Sequence, residues 1–231
     1  EPQEGAWNAE AIEHYRVYLK KLKAMNIEPF VTLWHWTVPV WFEQLGGWEK
    51  RANIKYFERF AAKIIEELGR DFRYIIILNE PETYISQSYL EGAWPPQVRN
   101  KKRAMVVLAN LLSAHKRVYK IAHTAGRKYR VGIAKFTALH YAGDDAKLTR
   151  ATAAFSRWGS EYFIIGNIKR HLDFLGVNFY RVWRYYGYRL HEAEDNVSDM
   201  GWEMQPEKIE PVVKNLFERY NLPIIITENC V

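Results

Sequence analysis

An α/β fold, a parallel sheet covered by helices, is what the sequence predicts, and three observations predict it. Apolar runs of strand length alternate with stretches of helical periodicity along the 231 residues. The strand runs are near-continuous in apolar residues, as in strands buried on both faces. Polar and aromatic residues also gather at the carboxyl end of one run after another, and that end carries the site in parallel α/β sheets.

Residues 8–25 read as a helix: Asn8 can cap it, and Ile12, Tyr15, Leu19 and Leu22 fall on one face. IEPFVTLWHW (27–36) is a short buried strand. A second helix over 53–68 puts Tyr56, Phe60, Ile64 and Leu68 on a stripe, and Gly69 directly after it is a stop signal. FRYIIILNEP (72–81) is the next strand, followed by a helix over 101–125 and the strand YRVGIAKF (129–136). A helical stretch then runs to residue 170, with a break near Trp158-Gly159. LDFLGVNFY (172–180) is strand, 206–220 is helix, and LPIIITEN (222–229) is the last strand. With no linker, low-complexity tract or fixed-period repeat, the expectation is one domain over residues 1–231.

Composition narrows the function classes. The net charge is +6, but apart from 100–103 and 127–130 the basic residues alternate with acids along helical stretches such as 55–70. That is a solvated helix face; no basic stripe interleaved with aromatics supports a nucleic-acid partner. No apolar run approaches the roughly 20 residues that span a bilayer, and no charged-then-apolar leader opens the chain. The single cysteine excludes an internal disulfide framework and leaves the cytoplasm as the default compartment. His14, His115, His123, His140, His171 and His191 lack metal-ligand spacing, and there is no glycine-rich phosphate loop, so neither metal nor cofactor is expected. The chain has no initiator Met, and its first five residues read like the middle of a loop, so a trimmed or partial chain is expected.

The strand ends carry the chemistry: Trp34-His35-Trp36, Asn79-Glu80-Pro81, Asn178-Phe179-Tyr180 and Thr227-Glu228-Asn229. Glu80 and Glu228 each follow three isoleucines, and each has an Asn beside it. Either acid alone fits a strand-end residue facing water. Two acids on rigid strands are what cleavage of a glycosidic bond needs: one protonates the leaving oxygen and the other attacks or activates water. A carboxyl separation of about 5–5.5 Å makes the second acid a nucleophile with retention, and roughly 6.5–9.5 Å admits a water with inversion.

The segments TLWHWTVPVWF, LNEPETY, LDFLGVNFYR, DMGWEMQPE and IIITENC occur in this order. Together they resemble glycoside hydrolase family 1, the β-glucosidase and β-galactosidase family. The resemblance implies a (β/α)8 TIM-barrel type fold, incomplete in this chain, and a retaining double displacement on a small glycoside with no cofactor. It implies Glu80 as general acid/base and Glu228 as nucleophile. Asn79 would bond the sugar 2-hydroxyl and His35 other hydroxyls of the glycone. Tyr180 would hold the nucleophile with Asn178 beside it, and Trp202 would form a platform for the leaving group. The residues alone leave bland readings open: His35 between two tryptophans fits a packed histidine, Tyr180 an ordinary strand aromatic, and Trp36, Trp41 and Trp48 loop packing.

Three departures from the family pattern stand out. Two initial strands and the last one, with their sugar-binding groups, are missing. The 148 positions from Glu80 to Glu228 are several tens fewer than the family pattern, with the shortfall around 154–163 and 189–202. Cys230 stands where the family motif has Gly. The alternative expectation is therefore a catalytically inactive barrel piece, or a sugar-binding or structural protein of the same descent.

Overall fold

A computed structural model describes residues 1–191, 193, 195 and 197–229. The chain packs as two compact units, Glu1–Ile133 with Arg170–Asp173 and Ala134–Lys169 with Phe174–Val231. The fold is α/β with mainly parallel strands, and the barrel is partial.

In the first unit, helix α1 (Ala9–Ala24) starts where Asn8 Oδ1 accepts the Ala11 N–H at 2.9 Å. It stops before Asn26, whose φ of +58° is left-handed. The expected face is only partly right. Leu19 is buried but Tyr15 is 58% exposed. Arg16 packs inward instead and binds the main-chain oxygen and carboxylate of Glu67. The aliphatic stem of an arginine covers apolar surface while its head finds an acceptor, which periodicity of apolar residues does not register.

Strand β1 (Phe30–Trp34) follows, then the short helix α2 (Val40–Gln44) and helix α3 (Ile54–Leu68). The fully buried stripe of α3 is Ile54, Phe57, Ala61, Ile65 and Leu68, one residue over from the expected Tyr56-Phe60-Ile64 row, which is half-buried. The loop aromatics explain the rotation. Trp48, 1% exposed, meets Phe57 edge-on at 5.4 Å, while Tyr56 is left to flank Trp41. Gly69 follows the helix with a right-handed backbone, φ −65°, and serves close approach: a Cβ there would lie 2.1 Å from the Tyr129 hydroxyl, which donates to the Gly69 carbonyl at 3.0 Å.

Strand β2 (Tyr74–Asn79) pairs parallel with β1, Phe30 opposite Tyr74 and Trp34 opposite Leu78. Its residues Ile75, Ile77 and Leu78 are wholly buried. Helix α4 (Pro81–Ile85) continues into a π turn at Ser86–Leu90, and the long helix α5 (Lys101–Thr124) is capped by Asn100. Two buried polar groups on α5 find main-chain partners. Asn110 donates to the Trp48 carbonyl at 2.8 Å, and His115 Nε2 meets the His171 carbonyl at 2.8 Å. Strand β3 (Arg130–Ala142) begins in this unit, its Arg130 N–H donating to Arg73 O at 2.9 Å.

In the second unit β3 runs on to Ala142, beyond the expected end at 136. Helix α6 (Lys147–Arg157), a π turn at Trp158–Tyr162 and helix α7 (Phe163–Ile168) account for the expected break: it is one wide turn around Gly159. Strand β4 (Phe174–Tyr186) also runs past its expected end at 180 and folds back through β5 (Arg189–Leu190). The two overruns share a cause, since β3 and β4 support each other to their ends, with the Gly143 N–H on Tyr185 O at 2.8 Å. Helix α8 (Ile209–Tyr220) buries Val212 and Leu216 and closes on left-handed Asn221. Strand β6 (Ile224–Glu228) then pairs parallel with β4. No helix among the described residues is long and apolar enough to cross a membrane.

Two buried histidines are held neutral. Burial pushes His115 down to about 4 from an ordinary 6.5. Burial, with Arg157 and Lys135 nearby, pushes His140 down to about 3. His140 bridges the Tyr185 hydroxyl at 3.1 Å and Ser160 at 3.0 Å. Below the unfolded value of about 6.5 the unfolded chain binds a proton that the fold refuses. Stability should therefore be full above that pH and fall as pH drops through 6 towards 4, by up to roughly 1.4 kcal/mol per pH unit for each histidine. Urea midpoints from pH 7.5 to 4.5 check this: His140→Gln should flatten the decline, and a flat wild-type profile would contradict it.

Candidate active site

The first unit ends its central strand in a constrained acid. Asn79 and Glu80 are 1% and 3% exposed, so β2 carries a carboxylate into a buried position. Glu80 sits at φ +41°, ψ 62°, immediately before Pro81, the first residue of α4. A residue before proline is disfavoured in the right-handed helical region, and here the chain turns through the left-handed one. Side-chain hydrogen bonds help fix the result: Trp36 Nε1 donates to the Glu80 carbonyl at 3.2 Å, and Thr83 Oγ1 donates to Glu80 Oε2 at 2.9 Å. Trp36, itself at φ +70°, packs on Trp94 with ring centres 4.7 Å apart.

His35 lies at the end of β1, its Nε2 3.2 Å from Asn79 Nδ2. An amide N–H can only donate, so His35 Nε2 accepts and the ring proton belongs on Nδ1. His35 is exposed and keeps that N–H for a partner of its own. A cavity of about 210 Å³ opens beside it, walled by Trp34, Trp41, Phe42, Trp48 and Phe57.

The second unit builds around the end of β6. Its register against β4 pairs Val177 with Ile226 and then Asn178 with Glu228, so Thr227 is an inserted residue, a β-bulge. Side chains on a regular strand alternate sides. The bulge cancels one alternation, so that two consecutive side chains bond the same face of β4. Thr227 Oγ1 donates to Asn178 Oδ1 at 2.5 Å, and the Tyr180 hydroxyl donates to Glu228 Oε2 in a short bond. Asn178 is completely buried, and its main-chain oxygen accepts Thr137 Oγ1 at 3.2 Å. Asn229 Nδ2 reaches the Phe179 carbonyl at 2.7 Å, closing the strand end. The Trp202 ring lies 5.9 Å from that of Tyr180.

Of the residues singled out from sequence, His35, Asn79 and Glu80 come together in the first unit. Asn178, Tyr180, Trp202 and Glu228 come together in the second. Cys230 lies outside the described residues. Sequence reasoning missed Thr83, Thr227 and the Trp36 indole as partners. Only Thr83 left a signal, a hydroxyl three residues past an acid at a helix start. Among the described residues no group of three or more His, Cys, Asp or Glu could hold a metal.

The left-handed backbone at Glu80 costs about 1 kcal/mol or more. Glu80→Asn, which tolerates that region and caps helices well, should raise the denaturation midpoint by the equivalent of roughly 1 kcal/mol. Thermal melts check this, and a fall would show that the carboxylate's contacts outweigh the strain.

Residues 1–165 match the model of glycosyl hydrolase family 1. The chloroplastic galactolipid galactosyltransferase SFR2 of Arabidopsis thaliana is 28% identical, over 100% of this chain and 40% of its own length. A β-glucosidase of Agrobacterium is 25% identical over 97% of this chain and 58% of its own. That alignment extends over 265 positions against 231 residues here, so the relative carries internal segments that this chain lacks. Among solved structures, a β-glycosidase from Pyrococcus horikoshii superposes with a TM-score of 0.91 at 29% identity, over 99% of this chain and 59% of that one. The β-glucosidase from Thermotoga maritima in complex with glucoimidazole gives 0.90 at 24% identity, over 97% and 59%. The chain thus spans between about two fifths and three fifths of the length of these relatives. With a partial barrel of this likeness and a family match over more than half of its residues, the chain belongs to glycosyl hydrolase family 1.

Proposed function

We propose that the protein is a retaining β-glycosidase acting on β-glucosides or β-galactosides by a two-step displacement. The observation that carries the reading is the pair of strand-end acids, each held by a hydroxyl: Glu80 by Thr83 and Glu228 by Tyr180. Fixed carboxylates with prescribed orientation are what a glycosyl transfer needs, because most of the rate enhancement comes from preorganised groups.

In the proposed cycle Glu228 attacks the anomeric carbon while Glu80 gives its proton to the departing oxygen. Glu80 then takes a proton from water, which displaces Glu228 and restores the configuration at carbon 1. Asn79 donates to the sugar 2-hydroxyl, where a hydrogen bond strengthens as positive charge builds on the ring. His35 supplies a further hydroxyl contact through its free ring nitrogen. Tyr180 orients the nucleophile, Asn178 holds the bulge that presents it, and Trp202 stacks on the leaving group.

A second reading has one observation in its favour: a relative 28% identical along the whole chain is named a galactolipid galactosyltransferase. In that version the glycosyl-enzyme is resolved by the hydroxyl of a second sugar in place of water. Product analysis separates the two, since transfer yields a longer glycoside where hydrolysis yields the free sugar.

Two variants test the roles. Glu80→Gln should slow substrates with poor leaving groups by about 10²–10⁴-fold and spare activated aryl glycosides in the first step. Equal loss on both would remove Glu80 from the acid role. Glu228→Gly should be inactive and recover turnover in azide, giving a glycosyl azide of inverted configuration. Unchanged activity in Glu228→Gly would sink the assignment and leave the non-catalytic reading.

A further inference from the structure

The proposed mechanism makes no use of Arg181. Arg181 follows Tyr180 on β4, and its guanidinium carbon lies 5.3 Å from the centre of the Trp202 ring and 5.9 Å from that of Trp183. Its Nε is buried and has no acceptor among the described residues. No carboxylate among the described residues is paired with it. Glu203, the acid whose field it feels most, is taken by Arg184 and Gln205, and Glu228 is taken by Tyr180. Burial accordingly pulls the guanidinium below its ordinary pKa, with Tyr185 and Glu203 opposing.

A half-buried guanidinium without an acid is costly. Stacking on two indoles offsets part of that cost through the ring quadrupoles. An indole ring offers the guanidinium N–H donors no conventional acceptor. Those donors form a rigid planar fork, and the partner that fits such a fork with two parallel hydrogen bonds is a carboxylate.

We propose that Arg181 is a specificity-determining residue of the leaving-group side of the site, and that the aglycone it selects is an aromatic carrying a carboxylate. The flat ring stacks on Trp202 while the carboxylate meets the edge of the guanidinium. This rests on the glycosidase reading for the position of the leaving group; the charge preference rests on Arg181 itself. Selection of this kind discriminates because a neutral amide offers one acceptor oxygen and no charge where the carboxylate offers two oxygens and a charge.

The test compares 4-carboxyphenyl and 4-carbamoylphenyl β-glucosides, which differ in charge and little in shape. The wild-type protein should favour the carboxylate in kcat/KM by about 10-fold or more. In Arg181→Gln that ratio should fall towards one, and in Arg181→Lys it should be intermediate, since an ammonium keeps the charge but not the fork. A wild-type ratio near one, or a ratio unaltered in Arg181→Gln, would overturn the proposal and leave Arg181 as packing beneath Trp202. Binding of the free aglycones to the wild-type protein, followed by tryptophan fluorescence, is a readout independent of turnover and of variant folding. Tighter binding of 4-hydroxybenzoate than of 4-hydroxybenzamide, weakening with added salt, supports the inference; equal binding, or none, refutes it. If neither glucoside is hydrolysed while hydroxybenzoate is still preferred, the glycosidase reading fails and the anion site stands.

Discussion

Thr227 and Glu228 are consecutive, yet both side chains bond β4 on one face, Thr227 to Asn178 and Glu228 to Tyr180. A regular strand forbids this, because neighbouring side chains leave on opposite sides. The bulge in β6 is therefore the constraint on which the placement of Glu228 depends. It spends one residue of pairing to aim a carboxylate, and its neighbour Thr227 pins the irregularity in place. Asn178, wholly buried, accepts one threonine hydroxyl on its side chain and another on its main chain, so it anchors the bulge.

Glu80 reaches a comparable end by other means. There the irregularity is a left-handed residue before proline, and the restraint is a tryptophan indole donating to its main chain and a threonine hydroxyl to its carboxylate. Both acids thus occupy backbone positions that a strand would not adopt for stability alone. Strained backbone that persists because its surroundings over-determine it is characteristic of sites rather than of cores. The surrounding fold supplies the rigidity: three successive residues of β2 before Asn79 are buried completely or nearly so, and Trp48 is locked among Trp34, Phe42 and Phe57.

Most of the element order was legible in the sequence, because apolar runs and helical periods differ in length and spacing. Helices α1, α3 and α5 and strand β2 fall within a few residues of where periodicity puts them. The misreadings have physical causes. Periodicity counts apolar side chains, so it overlooked Arg16, whose stem packs where Tyr15 was expected. It ended β3 and β4 at the first mixed residues, because support between strands is not a local property. The residues His35, Asn79, Glu80, Asn178, Tyr180, Trp202 and Glu228 were nameable because they stand in an ordered series of motifs. Apart from Thr83, their restraints were not: neither the bulge at Thr227 nor the positive φ of Glu80 has a signature in the side chains present.

The central claim is that Glu228, aimed by the bulge, is the nucleophile. It is tested most directly by incubating the protein with an activated 2-deoxy-2-fluoro-β-glucoside and weighing the intact chain and its peptides. The account predicts one added fluoroglucosyl group on the peptide that contains Glu228, lost again on incubation with an acceptor. A chain of unaltered mass, or a label on any other carboxylate, would contradict it.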